Sequence, residues 1–190
     1  MSTYVSKSVA DMKASFQYPI LPLIADVNID TLMDTIKLIN RNARSVKSRC
    51  GNFGYLFLTM SAEAYRTYEQ DPVLPTAPTD IPIFTSEMDA GERATVKMSW
   101  EQNKMEWDNI TNMNQALIDV LFEALPEDHR KDMESDFIGL PNWTFLQVFN
   151  ALLTKYGRID ATRVKNNRDR MYTPWDPNTR SSSPLASMVF

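Results

Sequence analysis

Arg158, Arg163, Lys165, Arg168 and Arg170 lie close together in the sequence, with Tyr172 and Trp175 just beyond them. Cationic side chains neutralise phosphates and flat rings stack on unpaired bases, so the group suits contact with RNA or with an acidic partner. The same residues have a second use. The cations can form a solvated helix face, and Trp175 can be a buried anchor, because a large aromatic beside proline at a chain reversal packs well. Other reactive side chains are sparse. Cys50 is the sole cysteine and His129 the sole histidine. Metal-ligand spacing is therefore missing, and a Cys50–His129 nucleophile pair would need the fold to join distant positions. Phosphate-cradling glycine loops and the G-x-S-x-G elbow are also missing. The reading is of a non-enzyme with no catalytic residue, cofactor or metal.

The elements that would position these groups are helices. The chain has 190 residues, 43% hydrophobic and 23% charged, enough apolar material for a real core in one or two domains. Only 5 residues are glycine, which disfavours a turn-rich all-β fold. The 11 methionines suit helix–helix seams. Net charge is −4, so a whole-chain positive field for nucleic acid is excluded. The charge is unevenly placed. Lys37, Arg41, Arg44, Lys47 and Arg49 form a basic block without an acid. From Asp119 to Asp136 acids dominate, and from Lys155 to Arg170 the balance is basic again. With a single cysteine, no apolar leader in "MSTYVSKSVADMKASF" and no apolar run of about 18 residues, the expected location is cytoplasm or nucleus.

Residues 1–27 read as an extended or disordered arm, with Ile20, Leu21, Leu23 and Ile24 lying on the body. Ile29, Leu32, Met33, Ile36 and Ile39 have helical spacing and predict a helix from about Asp30. Tyr55 to Met60 is a short apolar run that period alone assigns to neither strand nor buried turn. Ser61 is an N-cap for the next helix. The loop 71–85 contains Pro72, Pro75, Pro78 and Pro82, and its "PTAP", Pro75 to Pro78, is a PxxP that coincides with the late-domain motif of some viral structural proteins. From Ser86 to about Leu125, Val96, Trp100, Trp107, Ile110, Leu117, Leu121 and Leu125 follow a roughly seven-residue repeat with gaps at Asn103 and Asn114. This stretch can be one long helix or two in line, and the repeat implies a long amphipathic helix laid on the others or forming a seam with a partner. A helix from Pro126 to Gly139 follows, then one capped by Asn142 and stopped by Gly157, then Ala161 to about Met171, and a last start at Ser183–Pro184.

The segment "LLTKYGRIDATRVKNNRDRMYTPWDP" resembles the capsid-like region of Gag polyproteins from copia-type LTR retrotransposons. The matching residues are Leu152, Leu153, Tyr156, Gly157, Ile159, Asn166 or Asn167, Trp175, Asp176 and Pro177, and "FGYLFLTMSAEAY" upstream is similar too. The resemblance runs from about Asp30 to Pro177. It implies an all-α, multi-helix bundle of two small lobes with a long central helix and a Pro-rich loop. On it, 28–137 is an N-terminal lobe and 140–190 a truncated C-terminal lobe, with Tyr156, Gly157, Trp175 and Pro177 as structural anchors. It also implies a protein that associates with itself into particles packaging RNA, with no membrane and no small-molecule substrate. The family's downstream zinc knuckle (C-x₂-C-x₄-H-x₄-C) is missing and "NTRSSSPLASMVF" departs from its pattern. The chain thus reads as a fragment or a decayed copy, with weakened RNA binding. The alternative is a helical RNA- or protein-binding module without assembly activity.

Overall fold

A computed structural model describes residues 6–23, 27–70, 76–78, 81–131, 133 and 143–156. These belong to the first of the chain's two units, Met1–Gly157; the second, Arg158–Phe190, lies outside them. Among the described residues 63% are helical and none is in a strand. The elements are α1 (Val9–Ala14), α2 (Ile29–Ser45), a 3-10 turn (Leu56–Leu58), α3 (Ala62–Arg66), α4 (Ala90–Ala124), α5 (Glu127–Lys131) and α6 (Phe145–Tyr156).

α4 is the central element. Its 35 residues rise about 1.5 Å each, so it is roughly 52 Å long. Asp89 and Glu92 start it by exchanging backbone hydrogen bonds, 2.8 Å to the Asp89 carboxylate and 3.0 Å to the Glu92 carboxylate. Only its second half is buried: Asn109, Ile110, Met113, Ala116, Leu117, Ile118, Leu121, Phe122 and Ala124. Against this half pack Met12 of α1, Leu32, Ile36, Ile39 and Ala43 of α2, and Phe145, Val148 and Leu152 of α6, all in one core. Each such aliphatic or aromatic side chain contributes about 1.5–3 kcal/mol by leaving water.

The long helix and the α2 stripe follow the sequence expectation, although Met33 is exposed. Two expectations change. Within the segment 1–27 read as an extended or disordered arm, a helix, α1, stands at Val9–Ala14, capped reciprocally by Ser8 and Asp11, with Met12 fully buried. Ile20 and Leu23 do lie on the core, but Leu21 is exposed. The start of α6 also moves. Its first residue is Phe145, and Thr144 and Gln147 exchange the capping bonds, Gln147 Oε1 accepting from Thr144 N at 2.8 Å and Thr144 Oγ1 from Gln147 N at 3.3 Å. Asn142, expected as the cap, lies outside the described residues. The apolar run after Gly54 resolves as the 3-10 turn, with Tyr55, Leu56 and Thr59 buried.

Four asparagines tie the connecting segments to the helices. Asn42 of α2 holds the backbone of Gln17 and Tyr18. Asn109 of α4 accepts from Lys7 N at 2.7 Å, and Asn112 donates to Lys7 O at 2.9 Å. Asn114 accepts from Phe145 N at 2.8 Å and donates to Trp143 O at 3.4 Å. The break at Asn114 in the apolar repeat is therefore a clamp on the start of α6. Asn42 and Asn109 are buried, where a side-chain amide is stable only when its hydrogen bonds are made, and here the partners are backbone groups that need one.

Candidate functional site

Of the sequence-predicted residues, Arg158, Arg163, Lys165, Arg168, Arg170, Gly157, Trp175 and Pro177 lie outside the described residues. So do Tyr172 and the helices expected at 161–171 and from Ser183. Tyr156 is the last residue of α6. Its hydroxyl is 2.5 Å from His129 Nδ1, the two rings meet edge to face at 5.1 Å, and Lys155 Nζ lies 5.3 Å from the Tyr156 ring centre. Its half-buried ring packs on the core. Of the PTAP stretch, Thr76 and Ala77 are exposed and Pro78 is half-buried, none of them helical.

His129 thus has Tyr156 as its ring partner, and Cys50 sits in a separate set of groups. Cys50 is 4% exposed. Its backbone N–H donates to Ser48 Oγ at 3.2 Å. Burial first, and the nearby Glu106 carboxylate second, push its thiol up to about 11. Tyr65, 1% exposed, donates its hydroxyl to Glu69 Oε2 at 2.9 Å, and burial followed by that carboxylate pushes it up to about 12. Glu106 is also raised by burial, against the pull of Arg49. A thiol held protonated at neutral pH is a poor nucleophile. Among the described residues no group of three or more His, Cys, Asp or Glu is placed to hold a metal, and no helix is long and apolar enough to cross a membrane.

Two surfaces stand out. The first is the leading half of α4, Ala90 to Asp108, where no residue is buried. Val96, Trp100 and Trp107 are half-buried there and Met98 is 56% exposed. The repeat that is core further on, at Ile110, Leu117 and Leu121, runs out along this half. Lys104 lies 5.4 Å over the Trp100 ring, and Lys97 reaches Glu101 at 3.8 Å.

The second surface is the outer face of α2 and the loop after it. Lys37, Arg41, Arg44, Lys47 and Arg49 are all exposed. The first three fall on one helix stripe by their spacing of four and three residues. The Arg41 guanidinium lies 5.9 Å from the centre of the Tyr18 ring, and that of Arg44 lies 5.4 Å from the centre of Phe53. Phe53 in turn meets Tyr68 edge-on at 5.8 Å. Tyr18, Arg41, Arg44 and Ser45 line a shallow cleft of about 340 Å³. The basic block was visible in the sequence. The rings beside it were not, because Tyr18 arrives through the Asn42 clamp and Phe53 through the turn at Gly54. No family model, curated protein or solved structure matches this chain.

Proposed function

We propose that this chain is a structural protein that associates with itself, of the kind formed by the capsid-like region of retrotransposon Gag polyproteins. The observation that carries the reading is the leading half of α4. Val96, Trp100, Asn103 and Trp107 continue the four-and-three spacing of Ile110, Asn114, Leu117 and Leu121. That spacing is the seam of a two-helix coil. Its second half is filled by the chain's own α1, α2 and α6, and its first half offers roughly 28 Å of helix to another helix of the same kind.

A second copy is the occupant that the charges favour. Between Glu92 and Asp108 acids and bases are interspersed, so two copies do not repel. Lys97 and Lys104 lie on one flank of the seam and Glu92 on the other. A parallel pair sets each basic flank beside the partner's acidic one, whereas an antiparallel pair sets like beside like. Contacts of this size are individually weak, and repetition by symmetry is what makes an assembly of them.

Sedimentation velocity over a wide protein concentration range tests the reading. The weight-average sedimentation coefficient is expected to rise with concentration and to stay at the monomer value in Val96→Lys. A wild-type protein that remains monomeric at the highest concentration overturns it.

A further inference from the structure

We infer that the outer face of α2, with Tyr18 and Phe53 beside it, is a binding surface for single-stranded RNA, its arginines on phosphates and its rings on bases. The choice of partner comes from the face itself, where cations without acid partners stand beside exposed rings, and not from the self-association proposed above. The whole chain carries −4, so affinity for a polyanion has to come from a local surface. From Lys37 to Arg49 the sequence holds five exposed cations and no acid. Lys37 is engaged by Asp34 at 2.8 Å. Among the described residues, no carboxylate forms an ion pair with Arg41, Arg44 or Lys47. Nearby acids are otherwise occupied: Glu69 accepts from Tyr65, and Glu106 faces Arg49.

The rings turn a basic face into a reader of single strands. Tyr18, Arg41, Arg44, Phe53 and Tyr68 form a chain of neighbours: 5.9 Å from Tyr18 to Arg41, one helix turn from Arg41 to Arg44, 5.4 Å to Phe53, and 5.8 Å to Tyr68. Tyr18 and Tyr68 are 39% and 53% exposed. Guanidinium planes and aromatic faces both stack on unpaired bases, and a strand in this path spans on the order of 4 nucleotides. A duplex hides its bases and uses the cations alone. An acidic protein helix would use the cations and leave the rings idle.

The test is fluorescence anisotropy of a labelled oligouridylate of about 12 nucleotides with the full chain, at dilute protein and from about 50 to about 200 mM salt. Wild type is expected to bind the single strand about tenfold more tightly than duplex RNA of the same length. Arg41→Gln with Arg44→Gln is expected to lower affinity about tenfold and to make the log–log salt slope shallower by about 1.4, two phosphates at about 0.7 each. Tyr18→Ala is expected to lower affinity with the slope unchanged. Lys131→Gln, an exposed cation already paired with Glu127, is expected to change neither. Circular dichroism melts confirm that the variants are folded. Absence of RNA binding overturns the proposal. So does wild-type binding in the double arginine variant, with loss instead in Arg163→Gln with Arg168→Gln. If the double arginine variant loses self-association in sedimentation runs without RNA and keeps its RNA affinity, the face is a protein contact and the proposal also fails. Intact RNA binding in a monomeric protein upholds the surface while removing the assembly reading.

Discussion

Asn42 and Tyr18 are joined twice: the Asn42 side-chain oxygen accepts from Tyr18 N at 2.8 Å, and its amide donates to Tyr18 O at 2.7 Å. The same oxygen accepts from Gln17 N at 3.0 Å. Asn42 is fully buried in the last turn of α2, on a face that is otherwise apolar except for Thr35, and its amide pairs backbone groups that no strand pairs. Asn42→Ala leaves two N–H groups and a carbonyl without partners. Each costs about 1–3 kcal/mol where water cannot reach it. The expected loss of stability is about 2–4 kcal/mol, read by urea denaturation. A loss under about 0.5 kcal/mol would mean that water replaces the amide and that the clamp is not structural.

Gly54 and Gly91 are expected to respond to alanine with opposite signs. Gly54 has φ +58, and a Cβ there would lie 2.4 Å from Val46 O and 2.7 Å from both Ala43 O and Arg44 O. Those carbonyls belong to the end of α2, where Tyr55 N returns to Ala43 O at 2.9 Å and Ser48 Oγ donates to Gly54 O at 2.8 Å. Backbone oxygens cannot swing aside as a side chain can. Gly54→Ala therefore adds a clash to about 1–3 kcal/mol of backbone strain, and a total of at least about 3 kcal/mol is expected. Gly91 lies in the exposed first turn of α4, with only Asp89 Oδ1 nearby, at 3.2 Å. Gly91→Ala is expected to stabilise by roughly 0.5 kcal/mol, because it restricts the unfolded chain. Thermal melts of the two variants decide both signs.

Alkaline pH is expected to unfold the protein through Cys50 and Tyr65. In the unfolded chain these groups lose their protons near 9.0 and 10.0, and in the folded protein near about 11 and about 12. The folded state thus holds protons that the unfolded state has already released. Their contribution is complete below about pH 9 and is lost as pH rises toward about 12. Cys50→Ala is expected to remove the part of that decline between about pH 9 and about pH 11, an effect on the order of 2 kcal/mol. A parallel readout is thiol modification at about pH 8, slow in the native protein and fast in urea. Equal rates in the two states would place Cys50 at the surface.

Legibility in the sequence followed the physics of each element. α2 and α4 were readable because periodic apolar residues and good caps agree with one another. The expected start of α4 at Ser86 missed Asp89 because several residues there can cap, and only the reciprocal bond with Glu92 selects one. α1 was missed because six residues carry no period, although the Ser8–Asp11 spacing of a capping box was present. The basic block on α2 was legible as charge. Its rings were not, since Tyr18 and Phe53 reach it by hydrogen-bonded connections that spacing does not encode. Burial within α4 was also hidden: the same repeat is core beyond Asn109 and exposed or half-buried before it, and only the position of the other helices makes that division.

The orientation of a pairing through α4 can be tested by exchanging charges. Lys97 and Glu92 flank the seam on opposite sides, five residues apart. In a parallel pair Glu92 of one helix lies beside Lys97 of the other. Lys97 is 66% exposed at its side chain and pairs loosely with Glu101 of its own helix, at 3.8 Å, so its substitution leaves the fold intact. Lys97→Glu sets two acids against each other in each pair and is expected to weaken self-association several-fold, since exposed like-charge contacts cost some tenths of a kcal/mol each and a two-fold pair contains the contact twice. Adding Glu92→Lys to Lys97→Glu restores opposite charges and is expected to recover part of the loss, the Glu92 bond to Asp89 N at the start of α4 being given up, with circular dichroism checking that the helix is kept. An equimolar mixture of the two single variants should form mixed pairs in preference to either self-pair. The measurement is sedimentation equilibrium at low and high salt, where screening should shrink every one of these differences. If the double variant stays as weak as Lys97→Glu, or the mixture shows no preference, the two helices do not run parallel along this seam.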